Sequence, residues 1–182
     1  MNFHYSSQRL LYRVLDSSHA QDVLNFVSDN RKLFSRYEAD KEEKYYTLAY
    51  QKANLRAEYK AFLSGEYMRY YVYLKSDPDR IIGTVSFSYF RPFPYLTTII
   101  GYKFDGEYHH QGYATEAVFT LCRALFHDHN THRIEAFVLT SNKESCHVLE
   151  RVGFTFEGIA RKSIHLAGCF QDHYQYSLTN ED

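Results

Sequence analysis

Two successive strand-turn-helix units in the second half of the chain constrain its fold more than any other feature. Residues 96–104 predict a strand, and after a turn at 105–113 apolar residues recur at helical spacing. These residues are Ala114, Val118, Leu121 and Leu125. The second unit is a strand at 133–139 followed by a short helix that ends at Gly153. Because a helical crossover favours parallel pairing, we expect these two strands to lie side by side in one sheet.

The remaining segments predict further strands and helices around this pair. Apolar spacing predicts one helix after Ser18 and another from about Thr47 to Gly65. Short apolar or alternating runs predict the other strands at 9–14, 68–75, 80–90, 154–159 and 173–178. The order β-α-α-β-β-β-α-β-α-β-β indicates an α+β fold, a mixed sheet of about seven strands with about four helices. A length of 182 residues fits one domain, spanning 1–182.

The charge balance disfavours polyanionic partners. Lysine and arginine total 21 and aspartate and glutamate total 22, so we expect neither nucleic acid nor an anionic membrane as a ligand. No apolar run approaches the length of a membrane span, and the first residues lack the apolar core of an export signal.

The cysteines and histidines do not indicate a metal or a disulfide framework. The three cysteines, Cys122, Cys146 and Cys169, are odd in number and widely spaced, which favours a reducing cytoplasm. The run His127-x-His129-x-x-His132 has poor spacing for ligands on one helix face, so we expect a cationic helix end and no metal.

The turn HHQGYATEA, residues 109–117, has the features of an anion-binding helix start. Free amides at a helix N-terminus bind phosphate, and Gly112 allows close approach of the backbone. The candidate contacts are His110, Gln111, Gly112, Tyr113, Ala114 and Thr115. The segment has neither a P-loop nor a dinucleotide fingerprint, and taken alone it is more typical of a glycine turn with a capping threonine.

A second segment, NKESCHVLERVGFTFEG, begins at Asn142 and follows the strand RIEAFVLTS. Together the two segments resemble the GNAT acetyltransferase superfamily, and most nearly its ribosomal-protein N-terminal acetyltransferase branch. IIGYKF before the turn and the late QDHYQYSL are similar as well, so the likeness covers about residues 81–178. His109 stands where glutamine or arginine is typical of the family.

The resemblance implies a twisted, mostly antiparallel mixed sheet with helices on both faces and two splayed strands that hold acetyl-CoA. It implies that the pyrophosphate meets the amides of the turn, while Asn142 and Ser145 face the pantetheine arm. Both residues also have an ordinary structural interpretation, because Asn142 or Ser141 can cap the helix and Ser145 can satisfy a local backbone group.

The implied chemistry is acyl transfer from a thioester to an amine, with an oxyanion donor from the strand amides near residues 100–103. The positions where relatives carry acidic or tyrosine side chains are here Ile100, Leu149 and Ile164. Ser145 remains as the candidate proton donor to the CoA sulfur. The candidate bases are Glu157, His165 and Tyr102. A structural role is the more common one for each, because spacing alone does not show access to a pocket.

The acceptor is left open by the sequence. The resemblance implies a protein N-terminal α-amine, whereas a small amine such as a polyamine or an antibiotic, or a CoA-binding sensor without catalysis, are alternatives. A polycationic acceptor would need an acidic pocket, for which Glu38, Asp40, Glu42 and Glu43 are the candidates. The aromatic run at 86–95 either walls the acceptor pocket or packs in the core. We expect a monomer or a homodimer.

Overall fold

A computed structural model describes residues 2–166 and 168–180. One sheet carries eight strands in the order β1-β2-β3-β4-β5-β6-β8-β7. The strands are β1 (His4–Ser6), β2 (Leu10–Arg13), β3 (Met68–Leu74), β4 (Asp77–Arg91), β5 (Thr97–Phe104), β6 (Arg133–Leu139), β7 (Thr155–Leu166) and β8 (Cys169–Thr179). The helices are α1 (Ala20–Asp29), α2 (Arg31–Phe34), α3 (Leu48–Ser64), α4 (Tyr113–Asp128) and α5 (Lys143–Val152).

The sheet opens between its two central strands. All neighbouring strands pair antiparallel except β5 and β6, which run parallel. This parallel pair is short: Thr97 to Ile99 face Arg133 to Glu135, and the two strands separate beyond that point. The splay leaves one edge of β5 without a partner strand, so alternate peptide groups of residues 100–103 face a cleft.

Helices cover both faces of the sheet. Buried residues of α4 and α5, among them Leu121 and Leu149, pack with β-strand residues into the larger core. On the opposite face, α1, α2 and α3 contribute residues such as Phe26 and Leu55 to a second core with Tyr71 and Tyr73 of β3. The alternation of side chains along β3 thus supplies both cores from one strand.

The predicted fold class is confirmed, with small differences in the elements. The structure has eight strands and five α-helices in the described residues, because β1 and α2, of three and four residues, are too short to show periodicity. The closing hairpin is longer than expected, since β7 continues to Leu166. The hairpin of β3 and β4 turns before Asp77, so Pro78 lies in β4 and not at the turn.

None of the helices within residues 2–166 and 168–180 combines the length and apolar character needed to cross a membrane.

Candidate functional site

The cleft between the splayed strands opens into a cavity of about 870 Å³. It runs from the turn before α4, past β5, to the opposite face of the sheet under α2 and α3. Both sides of β5 contribute: Ile100 and Tyr102 on one face, and Gly101 and Lys103 on the other. Predicted site residues that line it are His110, Gly112, Tyr113, Ala114, Thr115, Asn142, Ser145 and Tyr102.

The turn before α4 gathers unpaired amides. His110 and Gly112 both have left-handed backbone conformations, with φ of 59° and 80°. The first helical hydrogen bond of α4 runs from the Glu116 amide to the Gly112 carbonyl at 3.0 Å. The amides of residues 112–115 precede it and so have no acceptor within the helix. This arrangement, with the positive end of the helix dipole, favours an anion.

The Gln111 side chain does not line the cavity within the described ranges. Its amide nitrogen donates to the Glu107 carbonyl at 3.0 Å, which folds the side chain back along the turn. Only the backbone of Gln111 is left to contribute to the predicted contact.

Arg9 holds this turn from outside, and the sequence did not indicate it. Its guanidinium donates to Glu116 at 2.7 Å and to the Gln111 carbonyl at 3.0 Å, and it lies 4.4 Å from the ring centre of Tyr113. Partial burial of Glu116 opposes ionisation, but hydrogen bonds from Arg9 and Ser7 hold its pKa below the usual value. An ionised Glu116 therefore ties the N-terminal strands to the first turn of α4.

The turn before α5 brings two predicted catalytic residues together. The Tyr102 hydroxyl lies 2.8 Å from the Ser145 hydroxyl oxygen and donates to the Ser145 carbonyl at 3.1 Å. Asn142 is the N-cap of α5, and its side-chain oxygen accepts the Ser145 amide at 3.2 Å. Burial raises the pKa of the Tyr102 phenol above its ordinary value, so the phenol is protonated at neutral pH.

Glu157 and His165 are not brought to this pair. The Glu157 carboxylate accepts the Arg133 guanidinium and the Ser177 hydroxyl, and the Arg133 hydrogen bond lowers its pKa. His165 is exposed and stacks edge-on against Phe170, while its neighbours Ile164 and Leu166 line the cavity. Neither residue is among the described residues that line the cavity, so a role as the base stays a prediction that the cavity lining does not support.

Two of the positions where this sequence departs from the family pattern, Ile164 and Leu149, differ in their access to the cavity. Ile164 borders the cavity with 41% of its surface exposed, whereas Leu149 is fully buried in the core. Tyr102 reaches the cleft from the strand β5, so a tyrosine hydroxyl is present although no tyrosine stands on α5 at Leu149. The phenol in the cleft therefore comes from β5 and not from α5.

Further polar residues of the cavity were missed by sequence reasoning. Glu144 lies beside the turn before α4, with carboxylate oxygens 3.6 Å from a ring nitrogen of His109 and 3.5 Å from one of His110. His147 and Arg151 of α5 also line this end of the cavity. His147 follows Glu144 by three residues and Arg151 follows His147 by four, so all three lie on one face of α5. This spacing is the sequence pattern that could have indicated them.

The end of the cavity beneath α2 and α3 contains paired charges. Lys103 contacts Glu38 at 2.7 Å, and burial lowers the pKa of Lys103. Arg69 donates to Glu58 of α3 at 2.6 Å. Glu58 lies on the same helix stripe as Leu55 and Phe62, so a charge within an apolar stripe was the signal for this site.

Of the candidate acceptor walls suggested by the sequence, Ser86 and Glu38 are the members found among the described residues that line the cavity. In the run at 86–95, Tyr89, Phe93 and Tyr95 expose 75%, 82% and 62% of their surface, and Ser86 is the residue that lines the cavity. The acidic segment is largely neutralised. Its ion pairs are Glu38 with Lys103, Glu42 with Lys44 and Glu43 with Arg31.

Comparison with known proteins identifies relatives over almost the whole chain. The family model described as Acetyltransferase (GNAT) domain matches residues 9–155. A probable N-acetyltransferase of Bacillus subtilis (strain 168), YjcK, is 34% identical over 93% of both chains. The ribosomal protein uS5-alanine N-acetyltransferase of Escherichia coli (strain K12) is 25% identical over 97% of this chain and 91% of its own. The crystal structure of a ribosomal-protein-S5-alanine acetyltransferase from Vibrio fischeri superimposes with a TM-score of 0.93 at 29% identity, covering 100% of this chain and 98% of that one.

Proposed function

The chain belongs to the GNAT acetyltransferase family and is an acetyltransferase, and from this premise we propose that it transfers the acetyl group of acetyl-CoA to the α-amine of a protein N-terminus. The observation that carries the proposal is the continuity of the cavity. It joins an anion-binding turn on one face of β5 to a separate pocket on the other face, at the point where β5 has a free edge. Two substrates can therefore meet across one strand.

In this proposal the turn before α4 binds the pyrophosphate, and the pantetheine arm lies along β5 towards Ser145. The free amides of β5 at residues 100–103 stabilise the oxygen of the attacked carbonyl. As the C–N bond forms and the C–S bond breaks, the Tyr102 and Ser145 hydroxyls supply a proton to the departing sulfur. We assign deprotonation of the incoming ammonium to water, for which the cavity of about 870 Å³ has room.

The charge of the acceptor pocket supports a peptide over a polycation. The side chains that line this end are three cations, Lys41, Arg69 and Lys103, and two carboxylates, Glu38 and Glu58. Glu38 and Glu58 each already accept a hydrogen bond from a cationic side chain, so a polyamine or an aminoglycoside would find no unpaired carboxylate among the described residues that line this end. A protein N-terminus brings a single ammonium group, which needs no such carboxylate. We propose that the reaction takes place in the cytoplasm, where newly made protein N-termini occur.

The proposal is tested by mass spectrometry of peptides incubated with the protein and acetyl-CoA. Each peptide carries one internal lysine, and a matched copy has a formylated N-terminus. We expect acetylation of the free peptide at its α-amine and none of the formylated copy. The rate at limiting peptide should rise through pH ~8, the ordinary α-amine pKa, and not through ~10.4 as for lysine. Acetylation confined to lysine or to polyamines would reject the proposal.

Gly101 offers a separate test of the acceptor side. A β-carbon added there would lie 3.5 Å from the Ser86 hydroxyl, an ordinary contact, so a side chain projects into the pocket without disturbing the sheet. We expect Gly101→Val to lower kcat/KM for the peptide by about tenfold through lost space. The smaller Gly101→Ala should have a weaker effect.

The affinity of both Gly101 variants for CoA should stay within about twofold of the wild type. A side chain at position 101 lies on the face of β5 opposite to Tyr102, the face on which we place CoA. Titration calorimetry with CoA measures this. A parallel loss of CoA affinity would show that the two substrates do not occupy the two faces as proposed.

A further inference from the structure

The acceptor pocket contains an arginine whose hydrogen-bonding capacity is largely unused. Arg69 lines the cavity, with 23% of its side chain exposed. A guanidinium has five N–H donors. Within the part of the chain that the structure describes, the Arg69 side chain donates one hydrogen bond of good geometry, from Nη1 to the Glu58 carboxylate, and its buried Nε has no partner. The hydroxyls of Tyr67 and Tyr71 lie near the guanidinium, and neither carries a negative charge at neutral pH.

The partner carboxylate, in contrast, is well satisfied. Glu58 accepts Arg69 at 2.6 Å and the Asn54 side-chain amide at 2.9 Å on one oxygen, and the Tyr71 hydroxyl at 3.1 Å on the other. Three of the roughly four acceptor sites of this carboxylate are therefore taken, which leaves little capacity for a substrate ammonium. The exposed part of the Arg69 guanidinium therefore offers spare N–H donors to the cavity, whereas Glu58 has little acceptor capacity left.

The charge around Arg69 favours an anionic oxygen. Lys41 and Lys103 bring the lining cations of this end to three against two carboxylates, so the pocket has an excess of positive charge. The planar fork of a guanidinium matches a carboxylate better than a single carbonyl oxygen. A carboxylate of the acceptor substrate is therefore the best hydrogen-bond partner for the spare N–H donors of Arg69.

The position of Arg69 limits where that carboxylate can be. Arg69 lies opposite Ser86 in the sheet, and Ser86 lies opposite Gly101. Two strand spacings place the Cα of Arg69 about 10 Å from that of Gly101. An extended peptide advances ~3.3–3.6 Å per residue, so an acidic side chain near its beginning can span this distance.

We propose that Arg69 selects protein N-termini that carry an aspartate or glutamate within their first three residues. This inference rests on the proposed function, since it assumes a peptide whose α-amine is acetylated beside Gly101. Arg69 is the residue that recognises the acidic side chain, and Glu58 positions its guanidinium.

The test compares peptides that differ only in one glutamate or glutamine, placed in turn at positions one to three and, as a control, at position eight. We expect the best acidic peptide to exceed its glutamine partner in kcat/KM by at least about tenfold, the effect of one charged hydrogen bond. The position-eight pair should be equal. Equal rates within all of the first three pairs would overturn the inference.

Two variants attribute the preference to Arg69. In Arg69→Gln combined with Glu58→Gln no buried charge is left unpaired, and the glutamate-to-glutamine ratio should fall to about one. Arg69→Lys keeps the charge but not the fork, and should give a smaller ratio than the wild type. Arg56→Gln, at an exposed position of α3, the helix that carries Glu58, is the control and should retain the full ratio. A ratio that persists in both Arg69 variants would contradict the assignment.

The two proposals fail in different ways. Acetylation of every peptide without discrimination would overturn only the role of Arg69. If no peptide is acetylated at its α-amine, the proposed function is wrong and this inference fails with it. Circular dichroism and a melting curve verify that each variant is folded before its ratio is interpreted.

Discussion

Gly112→Asp is expected to weaken CoA binding by more than about a hundredfold. The added carboxylate would lie beside the free amides of the turn, where we place the pyrophosphate, and next to Arg9, whose contact with the turn it would also disturb. Two like charges ~5 Å apart repel by about 3 kcal/mol at an effective dielectric constant of ~20, which corresponds to this factor. Titration calorimetry with CoA measures the change.

Gly112→Asn is the matched control for this variant. Asparagine has the same size as aspartate and tolerates the left-handed backbone, which Gly112 adopts at φ 80°. A β-carbon at this position lies 3.4 Å from the Arg9 guanidinium, a contact that both variants share. The difference between the two therefore isolates the charge. If aspartate and asparagine weakened binding equally, the turn would not be the phosphate site.

Local sequence was sufficient where one short segment determines the geometry. Gly112 and the spacing of Ala114, Val118 and Leu121 predict the turn and α4 without knowledge of the rest of the chain. The parallel pair of β5 and β6 likewise follows from the crossover between them. At Asn142 the capping interpretation holds, since its side chain accepts the Ser145 amide, and the same residue also lines the cavity.

Contacts between segments that are distant in the chain could not be predicted from local sequence patterns. Glu157 is occupied by Arg133, from a strand 24 residues earlier. The orientation of His165 depends on irregularities in β7, where the register shifts between Phe156 and Gly158 and again between Ala160 and Ile164. Each inserted residue reverses which face the following side chains occupy. Strand alternation alone therefore cannot place His165.

Buried ionisable groups were the other difficulty. Arg69 and Glu58 are separated by 11 residues and become partners only when α3 packs on β3. In the sequence each looks like an exposed charge, although Glu58 interrupts an apolar stripe. Lys103 and Glu38, 65 residues apart, give no local sign of their pairing. The proposed acceptor pocket, unlike the turn before α4, thus depends on contacts that form only in the packed structure.

Ser145→Ala and Tyr102→Phe should each lower kcat by about a hundredfold while leaving CoA affinity nearly unchanged, as expected for loss of a general acid. The two hydroxyls lie 2.8 Å apart and would act as one donor, so the double variant should lose little more than either single one. Stopped-flow or steady-state rates at saturating peptide, with CoA affinities from calorimetry, measure both quantities. Tyr59→Phe, which removes a phenol outside the cavity lining, is the control.

The pH dependence distinguishes an acid from a merely structural pair. Because burial raises the pKa of Tyr102 above its ordinary value, the phenol stays protonated through the assay range and wild-type kcat should not fall up to pH ~9.5. The departing thiolate needs a proton most at a pH below the ordinary thiol pKa of ~8.5. The deficit of Ser145→Ala should therefore be largest near pH 7 and shrink as the pH rises. A deficit that is constant with pH, or no deficit at all, would mean that the pair only joins α5 to β5.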